Sequence, residues 1–241
     1  MKLLIHGSTG RMGQILCRKA GEDLAAAVSP EYEKTEGNCY LTLAECKQEI
    51  DCVVDFSNHA ATETLLSYCT ERNLPVVIAT TGHTPEEKEM IKAAAEKIPV
   101  FFSYNMSIGI AALAKLAQQA AAMFPDADIE IVEKHHNQKL DVPSGTALLL
   151  ADRIADVRTD CEYVIGRHEN GKRQKQHIGI HSLRLGNEVG THEIIIATGT
   201  ETLTLKHEAE DRALFADGAL AAAKWLVGKT AGLYDMRDMT A

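Results

Sequence analysis

Between Glu133 and Ala147 the chain reads EKHHNQKLDVPSGTA, which sets two histidines, two lysines and a Pro-Ser-Gly-Thr turn in one short stretch of a protein with a formal net charge of -9. Adjacent histidines suggest a metal site. Successive strand residues point to opposite faces, however, so His135 and His136 make a poor pair of ligands for one ion, and no metal is expected. If the backbone leaves its strand here, the two rings and the Lys139 ammonium can converge on one cavity whose natural guest is an anion. Pro143, Ser144, Gly145 and Thr146 read as a helix start before ALLLADRIAD, and the first-turn N–H groups of Gly145 and Thr146 suit a carboxylate. The segment therefore has the parts to hold two carboxylates and to move a proton between them. The plainer alternative is a solvated charged loop with a capped helix behind it.

A second group of residues suits phosphates. GSTGRMG, with Gly7, Gly10 and Gly13, follows the first apolar run and opens a helical pattern. Glycines there let backbone approach a pyrophosphate, the helix start supplies N–H groups, and Arg11 adds a positive charge. The spacing is GxxGxxG, looser than GxGxxG, and a tight turn without a ligand is the competing reading. Two further loops belong at the same sheet edge: Thr80, Thr81 and Gly82 after a fourth strand, and YNMS from Tyr104, including Asn105, after a fifth. Ligands on open parallel sheets bind beyond the carboxyl ends of the strands.

The elements that must position these residues alternate between two patterns. Apolar runs at 2–6, 24–29, 52–57, 75–80 and 99–103 are separated by helical stretches, which predicts a parallel sheet with crossover helices. In TPEEKEMIKAAAEK, Thr84 is placed as N-cap, Pro85 in the first turn and Glu87 as the return partner of a capping box. After a helix over roughly 108–124 the style changes. ADIEIVEKHH alternates, GIHSLRLG reads as a strand, and EIIIATGTETLTLKH reads as a hairpin turning near Gly199, together predicting a second, mostly antiparallel sheet. FADGALAAAKWLVGK then returns to a helical pattern.

Length and composition bound the function. The 241 residues, 45% of them hydrophobic and 24% charged, allow one or two domains and contain no apolar run long enough to span a membrane. The acidic balance disfavours nucleic acid, which needs a broad basic surface. Six cysteines without a CxxC pair read as reduced, structural thiols. The N-terminus leaves no room for a signal peptide, so the expected location is the cytoplasm.

The block HHNQKLDVPSGTA resembles the HHxxKxDAPSGTA signature of the 4-hydroxy-tetrahydrodipicolinate reductase (dihydrodipicolinate reductase) family, and the similarity runs through GSTGRMG, VVDFS, TTG, NMSIG, RHE, GIHSLRLGNEVGTHE, FADGALAAAKWLVGK and GLYDM. The resemblance implies a Rossmann-like dinucleotide domain over 1–107, completed by 212–241, with an inserted α+β domain over 108–211 that binds substrate and builds a homotetramer. It implies reduction of a small dicarboxylate in the diaminopimelate and lysine pathway with NADH or NADPH. By the same resemblance His135 is the acid/base residue, Lys139 the proton donor, and His136, Gly145 and Thr146 bind substrate. Cofactor positions fall at Gly7, Ser8, Thr9, Gly10, Arg11, Met12, Ala79, Thr80, Thr81, Ser103, Tyr104, Asn105 and Met106. Ala79 stands where the family usually has glycine, and Asp141 is placed as a residue orienting the loop.

The second strand ends at Ser29, followed by Pro30 and Glu31, with no cation before Lys34. An uncharged strand end weakens repulsion of a 2′-phosphate and no clamp for one is evident, so the expectation is use of both cofactors. A short-chain dehydrogenase is disfavoured because no tyrosine has lysine four positions on. A dinucleotide-sensing regulatory protein would need the glycine turn but not HHxxK beside PSGT.

Overall fold

In a computed structural model that describes residues 1–240, the chain divides into two units, Met1–Ser107 with the chain from Ala213 onward, and Ile108–Arg212. Ala241, the last residue of the expected C-terminal segment, lies outside the described residues.

In chain order the elements of the first unit begin with β1 (Leu3–His6), α1 (Arg11–Ala20), β2 (Leu24–Val28), β3 (Cys39–Tyr40), β4 (Cys52–Asp55), α2 (Thr62–Glu71), β5 (Val76–Ile78), α3 (Pro85–Ala95) and β6 (Pro99–Phe102). The second unit holds α4 (Ile108–Met123), β7 (Asp128–His135), α5 (Gly145–Ala155), β8 (Glu162–Ile165), β9 (His177–Arg184), β10 (Gly190–Ala197) and β11 (Thr202–Ala209). The chain then returns to the first unit with α6 (Ala213–Leu226), β12 (Gly232–Tyr234) and α7 (Met236–Met239).

All pairings between the named strands of the first unit are parallel, in the order β12-β6-β5-β4-β1-β2-β3. Strands with helices on both sides must be apolar on both faces, and β1, β4 and β5 are buried at every position. The chain reverses its winding between β1 and β4, where Leu3 pairs with Cys52 and His6 with Asp55, so a crevice opens beyond their carboxyl ends. The capping box of α3 forms as the sequence predicts, with Glu87 N donating to Thr84 Oγ1 at 3.2 Å and Thr84 N to Glu87 Oε2 at 2.8 Å.

The second unit corrects one expectation. Its sheet runs β11-β10-β7-β9-β8 and is mixed rather than mostly antiparallel: β10 pairs antiparallel with β11 and β7, while β7–β9 and β8–β9 are parallel. The cause lies in the connections. From β7 the chain crosses over through α5, and the 166–176 loop carries it from β8 to β9, so each strand is entered from the same end. Arg173 holds that loop, its Nε donating to Glu130 Oε1 at 3.2 Å and its Nη1 to Asp128 Oδ1 at 2.8 Å. The hairpin between β10 and β11 turns through Gly199, at φ +94°. Ile129, Ile131, Ile178, Ile180, Ile194 and Ile196 of the sheet pack with Leu113, Ala117, Leu150 and Ile154 of α4 and α5 to form this unit's core.

All six cysteines are free. Among the described residues no helix is long and apolar enough to cross a membrane, and no group of His, Cys, Asp and Glu side chains could hold a metal ion.

Candidate active site

The glycine turn after β1 is built by close approach. Gly7 has φ +82°, and a Cβ there would lie 2.6 Å from the Phe56 carbonyl oxygen. A Cβ on Gly13 would lie 2.1 Å from Gly7 O and 2.7 Å from Ser8 Cα, so the first turn of α1 can sit against the loop only without a side chain. Gly10 is the N-cap of α1 and provides no side-chain cap, which leaves first-turn N–H groups to a ligand.

Beyond these strand ends lies a cleft of about 410 Å³. Of the residues expected to meet a cofactor, Gly10, Arg11, Met12, Ala79, Thr80, Thr81, Tyr104 and Met106 line it. The others shape the loops behind it. Ser8 Oγ lies 2.8 Å from Tyr32 OH, Thr9 Oγ1 donates to Glu31 Oε2 at 2.7 Å, Ser103 Oγ donates to Asn105 O at 2.8 Å, and Asn105 Oδ1 accepts Ser107 N at 2.8 Å. The close-packed glycine cradle, the uncapped helix start and the Arg11 cation fit the pyrophosphate of a dinucleotide.

Phe56, Ser57 and Phe215 also line the cleft and were not singled out from the sequence. Ser57 and Thr80 are fixed from below by Asp55. Its Oδ1 accepts Ser57 Oγ at 2.6 Å and lies 2.8 Å from His6 Nδ1, while its Oδ2 accepts Thr80 Oγ1 at 2.6 Å.

In the second unit β7 ends at His135, which is buried, whereas His136, on the other side of the chain, is half-buried. Lys139 follows a turn in which its N–H donates to His136 O at 3.2 Å. His136 is held below the usual histidine value, first by desolvation and then by the positive charges of Arg212, His135, Lys139 and Arg184. His135, His136 and Lys139 therefore sit together where β7 gives way to the following loop. Ser144 caps α5 by accepting Ala147 N at 3.1 Å, and Gly145 and Thr146 open its first turn.

Three residues behind this loop, Glu133, Arg184 and His192, were given no role from the sequence. Glu133 is fully buried. Burial would raise its carboxyl, but hydrogen bonds from His135 and Arg184 outweigh burial and hold it well below the usual carboxylate range. Arg184 grips both Glu133 oxygens, at 2.9 and 2.8 Å. His192 is pushed down to about 3 by desolvation, with the His135 charge adding, and its Nε2 lies 3.1 Å from Ser144 Oγ.

A Rossmann-type parallel sheet with a close-packed glycine turn, joined in sequence to a mixed-sheet unit, is the architecture of a two-domain pyridine-nucleotide oxidoreductase. The dihydrodipicolinate reductase family matches the chain in two parts, its N-terminus over residues 1–106 and its C-terminus over residues 109–240. The 4-hydroxy-tetrahydrodipicolinate reductase of Caldanaerobacter subterraneus subsp. tengcongensis is 44% identical, over 99% of this chain and 98% of its own length. That of Clostridium tetani is 42% identical, over 99% and 96%. The solved dihydrodipicolinate reductase of Paenisporosarcina sp. TG-14, bound to dipicolinate, superposes with a TM-score of 0.84 at 26% identity, covering 99% of both chains. The chain belongs to the dihydrodipicolinate reductase family.

Proposed function

We propose that the protein is a 4-hydroxy-tetrahydrodipicolinate reductase of the diaminopimelate and lysine pathway, reducing its dicarboxylate substrate to tetrahydrodipicolinate. In the net change a hydroxyl leaves as water while a hydride and a proton are added. The observation that supports this reading is that Glu133 ties buried His135, at the end of β7, to the N-cap residue of α5, while His136 and Lys139 stand in the loop between them, because a dianion that must be protonated needs cations and donors in one place.

A reduced nicotinamide supplies the hydride. Arg11 and the first turn of α1 hold the phosphates, and the Thr80 and Thr81 loop with Tyr104 walls the cleft. Gly145 and Thr146 receive a substrate carboxylate and His136 adds to the binding. Lys139 Nζ stabilises the charge that develops towards the substrate's ring nitrogen and delivers the proton there, with His135 as the acid/base residue. Both NADH and NADPH serve.

The protein works in the cytoplasm as a homotetramer assembled through the second unit. The support for assembly is β11, a sheet edge strand whose Thr202, Leu203 and Thr204 are all exposed. Light scattering that gives a 26.3 kDa particle at micromolar concentration would rule the tetramer out. For the reaction, NADH absorbance should fall when freshly generated substrate is added. Binding of NADH with no turnover would instead leave a dinucleotide-sensing protein.

A further inference from the structure

Glu133 and His135 are two residues apart on β7 and so share a face of the sheet. The register sets Glu133 between Ser182 of β9 and His192 of β10, and sets His135 opposite Arg184. The result is a carboxylate with no exposure and four donors. Oε2 lies 2.5 Å from His135 Nδ1 and accepts Arg184 Nη1 at 2.9 Å, while Oε1 accepts Arg184 Nη2 at 2.8 Å and Ser144 N at 3.2 Å. Arg184 Nη2 also donates to Asp141 O at 2.8 Å, tying in the loop that carries Lys139.

An isolated buried carboxylate is strongly destabilising, and it is tolerated only where hydrogen bonds and an opposite charge satisfy it. The partners of Glu133 include His135 and the N-cap residue of α5, which flank the loop that carries Lys139. A carboxylate can only accept, so the proton between it and the ring sits on His135 Nδ1, and Nε2 is the one ring position left to exchange a proton. The ring edge bearing Nε2 lies against Gly190, where a Cβ would stand 3.0 Å from it.

We propose that Glu133, clamped by Arg184, is the positioning residue of this site: it fixes the ring and tautomer of His135 and, through Ser144, locks that ring to the helix turn that receives the substrate carboxylate. Glu133 touches neither substrate nor cofactor and acts through His135. The inference rests on the reductase reading above.

The test is a cycle of Glu133→Gln, His135→Ala and the double variant, with circular dichroism as the folding control. The amide that Glu133→Gln introduces cannot accept from both the ring and the arginine through equivalent oxygens, so kcat should fall about 10- to 100-fold, the usual effect of losing an orienting partner, with NADH affinity unchanged. In the His135→Ala background the same change should cost less than about twofold, since the two residues act as a unit. A Glu133→Gln enzyme within about threefold of the parent, or a double variant showing the full product of the single effects, overturns the proposal. If Glu133→Gln does not fold, ¹⁵N spectra of histidine-labelled parent protein decide: a proton on His135 Nδ1 supports the assignment and a bare Nδ1 overturns it. That measurement needs no turnover, so failure of the reductase reading, seen as no NADH oxidation by the parent, is distinguishable from failure of this one.

Discussion

Lys139 Nζ lies 2.8 Å from Asp141 Oδ1, so the ammonium that we assign to substrate protonation is held by a carboxylate of its own loop. Burial would raise the Asp141 carboxyl, but the hydrogen bond and charge of Lys139 outweigh it, so Asp141 is ionised at neutral pH. Arg184 fixes the backbone of the same residue. The ion pair and the Arg184 bond support the proposal that Asp141 orients this loop.

This separates chemistry from orientation. Lys139→Ala should lower kcat by about 10²- to 10⁴-fold, the scale of a positioned acid, with NADH affinity unchanged. Asp141→Asn keeps an acceptor for the ammonium and should stay within about tenfold of the parent. Near-normal turnover by Lys139→Ala would place the proton source elsewhere.

Gly13→Ala tests the cofactor cradle. The added methyl meets backbone, Gly7 O at 2.1 Å and Ser8 Cα at 2.7 Å, which no rotamer change relieves. Overpacking of this kind costs about 1–3 kcal/mol and should displace the glycine turn, weakening NADH binding by at least about tenfold. Calorimetric titration that finds parental affinity would show that the turn does not hold the dinucleotide.

What the sequence made legible was local. The glycine turn, the capping box at Thr84 and the five apolar runs each carry their signal within a few residues. β3, with two residues, and β12, with three, are too short to show a period. The mixed sheet escaped because parallel β7–β9 pairing depends on a crossover whose geometry no local pattern encodes. The same holds for the site. The loop for which we propose proton handling carries its signal in its own residues, but Glu133 meets Arg184 across 51 positions and Ser144 meets His192 across 48. Asp55 lay hidden in an apolar strand, since its partner His6 is 49 positions away.

We propose that Glu31 weighs on cofactor choice. Thr9 Oγ1 donates to Glu31 Oε2 at 2.7 Å, so the carboxylate turns back to the glycine loop, while Lys34 pairs with Glu36 at 3.2 Å. An exposed carboxylate opposes a 2′-phosphate only weakly, and Lys34, the nearest cation in sequence after Glu31, is engaged by Glu36. The kcat/KM values for NADH and NADPH should therefore agree within about tenfold, or roughly 1.4 kcal/mol. Glu31→Gln should move the ratio about fivefold towards NADPH by removing the charge. A preference above about a hundredfold in the parent would point to a discriminating side chain other than this one.

His192 gives a prediction about stability and pH. Desolvation lowers its folded-state value to about 3 from 6.5, so the ring is neutral in the folded protein and charges on unfolding at mildly acid pH. The unfolded chain then binds more protons, and stability must fall as pH drops through 6.5 towards 3, with no effect above that window. From 6.5 down to about pH 5 the loss from this ring is on the order of 2 kcal/mol. Lower in the range Glu133 adds a second loss, because its carboxylate is also stabilised by folding and is protonated on unfolding below about 4.5. His83 and His207 are shifted down as well, by desolvation first, so they share the upper window. His192→Gln removes only its own part: the variant is less stable at pH 7, having lost the packing beside Ser144, but its loss between neutral pH and about pH 5 should be smaller than the parent's by about 1–2 kcal/mol. Urea unfolding of both proteins at the two pH values measures this difference. Equal pH slopes would mean that the His192 ring is not held neutral against the proton-handling cluster.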